Sequence, residues 1–287
     1  MARAHETQNL EEQTPDEDLD DVPEPPKEAI TRPGDIWVLG RHRLICADSR
    51  LLDDLQRLCD GQKMDAVVTD PPYGVDVVGG FRELSPQERR ARGKKVIQND
   101  GKDSLDDLLA LSLGNAFMVC RDGAVWYIWA PAIANMFMAF AKPLLEMEIW
   151  RHTIIWVKNS FVLGRSDFHY RHEHCFYGWK PGAAHTAPPG RAQDTVWEID
   201  RPSRSADHPT MKPVELMARC IRNCTHKGDR VLEPFAGSGT TLVACESLSR
   251  ACYASEIDPV YCDVIIKRWE QLTGLQAERL KQGAELS

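Results

Sequence analysis

Residues 230 to 256 constrain the fold more than any other part of the chain. Arg230, Val231, Leu232 and Glu233 read as a short buried strand, followed by a tight turn through Pro234, Phe235, Ala236, Gly237, Ser238 and Gly239. Gly237 and Gly239 permit positive φ and close backbone approach, and Thr240 or Thr241 is placed to cap a helix through Leu242, Val243, Ala244 and Leu248. Ala251 to Glu256 then form a second strand ending on a carboxylate, and Asp258 with Pro259 opens another helix. Two strands joined through a helix pair in parallel, so the chain is of the α/β class. An acid at the tip of the second strand is placed to bind ribose hydroxyls, which makes Glu256 the first candidate and Asp258 the second. The loop lacks both the three-glycine dinucleotide fingerprint and the lysine of a P-loop, so it points to a nucleoside rather than a pyrophosphate.

A second corner lies far upstream. Ala66, Val67 and Val68 read as a buried strand that ends on Asp70, Pro71, Pro72 and Tyr73. The two prolines hold φ near about −65° and remove two backbone donors, so the turn is stiff and shows its carbonyls. The Asp70 side chain and the Pro71 carbonyl can each accept one hydrogen of an exocyclic amino group, while Tyr73 stacks on the ring that carries it. Accepting both hydrogens draws the nitrogen towards tetrahedral geometry and frees a lone pair that can attack a methyl group. The plainer alternative is a proline-punctuated turn after a strand.

These two corners, with His208, Pro209, Thr210, Met211, Lys212 and Pro213 ahead of the glycine loop, resemble the amino-methyltransferases of DNA. That family methylates adenine N6 or cytosine N4 with S-adenosyl-L-methionine, and the resemblance covers residues 34 to 273. The prolyl corner precedes the Phe235-x-Gly237-x-Gly239 loop, the circularly permuted order of the β class. Met211 stands where the family typically carries Gln.

The resemblance implies a Rossmann-like methyltransferase fold: a mostly parallel seven-stranded sheet with one reversed strand and helices on both faces, the cofactor half encoded after the catalytic half. It implies catalytic roles for Asp70, Pro71, Pro72 and Tyr73. Phe235, Gly237 and Gly239 would border the methionine part of the cofactor, Glu256 and Asp258 its ribose, Thr210 and Lys212 its carboxylate end, and Asp48 its adenine. Lys212 has an independent warrant, since an ammonium is a natural partner for a carboxylate. From the residues alone Asp48 reads equally as a cap for the helix expected over 51–58.

Adenine N6 is the expected target, because the family's cytosine enzymes more often begin the corner with Ser; cytosine N4 is the alternative. Methylation of RNA or a protein amide, and a DNA-binding protein without catalysis, are the more distant readings. The expected partner is double-stranded DNA, and family members often form homodimers. DNA modification of the restriction–modification kind is the implied setting, with no metal required.

The net charge of −8 fits a DNA enzyme only once its location is considered. Residues 1 to 30 hold ten acids against Arg3 and Lys27, which leaves the remainder neutral. With Pro23, Pro25 and Pro26 this composition reads as a disordered acidic tail over 1–33, followed by one catalytic domain over 34–287. No apolar run is long enough to span a bilayer, and the N-terminus has no signal-peptide pattern. Nine cysteines without Cys-x-x-Cys spacing fit a reducing, cytoplasmic compartment.

Two basic stretches are candidates for DNA. Arg89, Arg90, Lys94 and Lys95 lie between glycines just after the prolyl corner, in a segment over 74–122 expected to be a mobile DNA-contacting piece plus a helix. A solvated charged helix is the alternative there. A target-recognition region is expected over 158–205, where Arg165, Arg171 and His172 are the chosen contacts among interleaved aromatic residues. His169, His172, His174 and Cys175 are set aside as a zinc site, because alternate strand residues face opposite ways and no second ligand pair accompanies them. Expected strands lie near 36–40, 43–47, 64–69, 124–129, 149–157, 174–179, 230–233 and 251–256. Expected helices cover 51–58, 104–119, 132–142, 214–225, 240–249 and 259–273.

Overall fold

The computed structural model describes residues 19–73, 105–161, 167–190, 192–200 and 211–280. Arg89, Arg90, Lys94, Lys95, Arg165 and Thr210, each singled out above, lie outside the described residues.

Five strands run parallel through the centre of one sheet. They are β2 (His42–Cys46), β9 (Ala251–Glu256), β8 (Arg230–Glu233), β3 (Met64–Thr69) and β4 (Cys120–Ala130), in that spatial order. Next to β4 lies β6 (His172–Trp179), antiparallel both to it and to β5 (Trp150–Val157) beyond. These seven strands with β6 as the reversed member are the sheet the resemblance implies. Three short strands extend it to ten. β7 (Val196–Glu198) joins β5, and β1 (Ile36–Leu39) with β10 (Glu278–Arg279) continues past β2. β7 and β10 hold only three and two residues, too few to show a period of two.

Helices cover both faces. On one side α1 (Leu52–Cys59), α2 (Leu105–Val119) and α3 (Ala134–Glu146) pack with Val67, Trp126, Ile128, Leu232 and Tyr253. On the other, α4 (Val214–Cys224), α5 (Thr240–Ser247) and α6 (Pro259–Thr273) pack with Val68, Val125, Tyr127, Trp129, Val231 and Ala254. Successive residues of β4 therefore feed opposite cores, which is why its sequence is apolar throughout instead of alternating. The helix expected to stop at 142 runs on to Glu146 with Pro143 inside it. Pro143 removes one helical donor, and the apolar residues beyond it, such as fully buried Leu144, carry the helix forward.

The disorder expected over 1–33 does not hold for residues 19–33. Asp20 accepts the Val214 backbone N–H at 2.7 Å, satisfying a donor at the start of α4, and the Leu19 carbonyl accepts from Arg268 at 2.7 Å. Asp263 of α6 accepts from the Ile30 N–H at 2.6 Å and the Thr31 N–H at 3.1 Å. Composition marked this stretch as polar and acidic, but its acids and backbone groups are matched to specific partners on the domain. Among the described residues no helix is long and apolar enough to cross a membrane.

Candidate active site

The pairing of β3 with β8 decides where the two corners meet. Ala66 lies opposite Val231 and Val67 opposite Leu232, in parallel register, so the chain leaves both strands at the same edge of the sheet. Asp70 starts the turn after β3, and Gly237 lies in the turn after β8. Open parallel sheets bind ligands at that edge.

One buried carboxyl ties the two turns together. Glu233, 2% exposed at the end of β8, accepts from the Thr69 hydroxyl, from the Thr241 hydroxyl at 2.7 Å and from the Phe235 N–H at 3.0 Å. Burial pushes its pKa up to about 8 against the pull of these donors. In the glycine turn itself, Gly237 has φ of +53° with no atom within 4 Å of where a Cβ would stand, so open space adjoins the backbone there. Gly239, at φ of +84°, would place a Cβ 3.0 Å from Ile265 of α6, so its bareness serves packing. Phe235 is half-buried beside them.

Glu256 closes the turn from below. Its carboxylate accepts from the Gly237 N–H at 2.8 Å and the Asp258 N–H at 2.9 Å, and burial pushes its pKa up to about 7. Asp258 caps α6 through the Val260 N–H at 2.9 Å. Asp48 follows β2, whose last residue Cys46 pairs with Glu256, so it shares this edge. Its reading as the cap of α1 is not met: Leu51 occupies that position without a side-chain cap, and Arg50 grips the Asp48 carboxylate at 2.6 and 3.0 Å. Partial burial works to raise the Asp48 carboxyl, and the Arg50 hydrogen bonds outweigh it, so its pKa lies below the ordinary value.

The prolyl corner carries a charge cluster. Asp70 Oδ2 accepts from Lys212 Nζ at 2.6 Å, and Asp70 Oδ1 lies 2.7 Å from the Tyr73 hydroxyl. Pro71 is buried, and Pro72 and Tyr73 are half-buried. Lys212 also donates to the Tyr73 oxygen at 2.8 Å and reaches Glu173 Oε2 at 2.9 Å. An ammonium has three donors, so all are taken by this corner. Glu173 in turn accepts from Lys158 through Oε1. Burial opposes ionisation of Glu173, but the charges of Lys212 and Lys158 win and hold its pKa at about 2. Burial raises the Asp70 carboxyl, with the Lys212 charge opposing and the Glu173 charge assisting.

Lys212, expected at the carboxylate end of a cofactor, thus stands at the prolyl corner. Of the DNA candidates, Arg171 is exposed, and its carbonyl accepts the Lys158 N–H at 2.8 Å. His172 opens β6, half-buried, with its ring 5.2 Å from that of His174. Phe168, 86% exposed, and Phe161, stacked on His169 at 5.3 Å, add apolar rings to the same connection.

Three functional candidates escaped sequence reasoning: Glu173, Lys158 and Glu233. A signal existed for Glu173, a carboxylate entering the apolar run Cys175, Phe176, Tyr177, because a charge on a buried strand requires a partner. Its partners, 100 residues away in the case of Tyr73, follow from the strand order alone.

The family model described as DNA methylase matches residues 64–268. The Type II methyltransferase M.Cfr9I of Citrobacter freundii is 27% identical over 192 residues, covering 66% of this chain and 59% of that protein. The Type II methyltransferase M.XycI of Xanthomonas campestris pv. cyanopsidis is 29% identical over 164 residues, covering 56% of this chain and 50% of its own length. The chain therefore spans little more than half the length of these relatives. Among solved structures, the DNA modification methylase TTHA0409 of Thermus thermophilus, complexed with S-adenosyl-L-methionine, superposes with a TM-score of 0.58 at 21% identity. That likeness covers 85% of this chain and all of the other, and it establishes the shared fold.

Proposed function

This chain belongs to the DNA methylase family, and on that premise we propose that it transfers a methyl group from S-adenosyl-L-methionine to the exocyclic amino group of a base flipped out of double-stranded DNA, adenine N6 being the first choice. The observation that carries the reading is the adjacency of β3 and β8, with Glu233 joining the two turns that leave them.

The residues fit such a cofactor. Gly237 leaves open space on the side where any other residue would project a Cβ, and the Glu256 carboxylate beside it suits ribose hydroxyls. Asp48 at the neighbouring strand end is suited to the adenine, and Phe235 with Gly239 to the methionine part. When bound, the cofactor supplies a methyl group already activated on a sulfonium. The protein's work is then orientation. Asp70 and the Pro71 carbonyl accept the two amino hydrogens, and Tyr73, its hydroxyl fixed by Asp70 and Lys212, offers its ring for stacking. Extruding a base costs a few kcal/mol, which stacking worth about 1–3 kcal/mol per base and the amino contacts offset. Arg171, His172 and Phe168 on the β5–β6 connection are the proposed described contacts to DNA; Arg89, Arg90, Lys94, Lys95 and Arg165 extend that proposal by charge.

The preference for adenine rests on the Asp that begins the corner. Incubation with the cofactor and amplified, unmethylated bacterial DNA, followed by mass spectrometry of nucleosides, tests the reading. N6-methyladenine is the expected product. N4-methylcytosine in its place overturns the choice of base, and the absence of both overturns the proposed activity.

A further inference from the structure

Lys158 and Glu173 have no role in the transfer described above, yet they are built into the corner. Glu173 lies opposite Trp156 in the β5–β6 hairpin, Lys158 follows β5, and their side chains are 16% and 8% exposed. We propose that Glu173, anchored by Lys158, is a positioning residue: it shares the Lys212 ammonium with Asp70 and gives Tyr73 a second acceptor, so that Asp70 stays a strong acceptor for the reacting amino group. This rests on the methyl-transfer reading.

The geometry carries it in two steps. Lys212 Nζ lies 2.6 Å from Asp70 and 2.9 Å from Glu173, so one ammonium serves two carboxylates, and the second ammonium, on Lys158, balances the group. Paired with Lys212 alone, Asp70 would have its charge largely satisfied and would accept weakly from a neutral amine. Tyr73 has a single hydroxyl proton, with Asp70 Oδ1 at 2.7 Å and Glu173 Oε2 at 3.0 Å. Donating to Glu173 releases Asp70 Oδ1 to the amine without leaving a buried hydroxyl unpaired.

The groups that face Asp70 are Tyr73 on its own turn, Lys212 ahead of α4, Glu173 and Cys175 on β6, and Glu233 on β8. Removing the Glu173 charge leaves Lys212 to Asp70 alone and lowers the Asp70 pKa. Removing the Lys158 charge lets Glu173 draw harder on Lys212 and raises it. A merely structural role for either residue predicts no such opposition of sign.

The test titrates carbon-13-labelled aspartate carboxyls by NMR in the protein without cofactor, the Asp70 resonance being assigned by its loss in Asp70→Asn. Relative to wild type, Glu173→Gln should move the Asp70 midpoint down by about one unit, and Lys158→Met should move it up. In single turnover with saturating cofactor and amplified DNA, Glu173→Gln should lower the rate roughly tenfold while cofactor affinity stays within about threefold. The acid limb of the rate profile should follow the carboxyl in each variant. Midpoints that do not move, or that move in the same direction, overturn the inference, and either variant decides its own sign if the other fails to fold. Wild-type protein that transfers no methyl group overturns the proposed function instead, while the carboxyl titration still judges the placement of Glu173.

Discussion

Replacement of Glu233 by Gln should flatten the alkaline side of the protein's stability profile. The carboxyl is 2% exposed and its pKa rises from the ordinary 4.5 to about 8. A folded-state pKa above the unfolded one means the native chain holds an extra proton between these values, so stability is greatest at the acid end of that window and falls as pH rises through it. Between about pH 6 and pH 9 the fall spans roughly two pKa units, or about 3 kcal/mol at 1.36 kcal/mol per unit. Glutamine keeps an oxygen for the Phe235 N–H and offers an amide to a threonine hydroxyl, so at about pH 6 the substitution should cost no more than about 1 kcal/mol. Urea midpoints at the two pH values, with an unchanged denaturant slope, report the difference. The variant should retain only the smaller decline that comes from Glu256, whose pKa lies at about 7. A wild-type decline reproduced in full by Glu233→Gln would refute the claim that this carboxyl carries the proton.

Other substitutions separate the roles assigned at the site. Asp70→Ala should abolish methyl transfer while cofactor affinity, measured by calorimetry, stays within a few-fold; loss of binding as large as that in Gly237→Val would contradict the assignment. Gly237→Val fills the open space beside the turn and places a β-branched residue at φ of +53°, so it should remove cofactor binding. Gly239→Val drives a side chain against Ile265 and should destabilise the fold by about 1–3 kcal/mol, seen as a lower melting temperature without cofactor. Glu246 accepts from His42 at 2.8 Å and Trp269 at 2.8 Å, and the His42 hydrogen bond leads in holding its pKa at about 2. Because that value is depressed, its contribution is present above about pH 4.5 and disappears as pH falls towards 2, and Glu246→Gln should remove this acid sensitivity.

Most elements could be read from local pattern. The β8–turn–α5–β9 unit was legible because a glycine turn between an apolar strand and a helix has few alternatives, and the strand at 64–69 was marked by the prolines that end it. The start of β4 at Cys120, four residues before the expected 124, was obscured by Arg121, Asp122 and Gly123, a polar interruption with no strand period. The hydrogen bonds of residues 19–33 were hidden for another reason: acids that look solvated in sequence are supplied with partners on α4 and α6.

Local chemistry alone determined that the chain is α/β, that one turn suits an amino-bearing ring and that another suits a nucleoside. Those features depend on residues within a few positions of one another, where backbone sterics and hydrogen-bonding capacity decide the outcome. Tertiary structure decided that Lys212 stands at Asp70, 142 residues away, that Glu173 reaches the same ammonium from a reversed strand, and that Glu233 ties both turns together. The physical reason is the strand order: the neighbours of β3, and the insertion of β6 between β4 and β5, are set by the packing of two apolar faces, and partners across such a sheet have no fixed spacing along the chain.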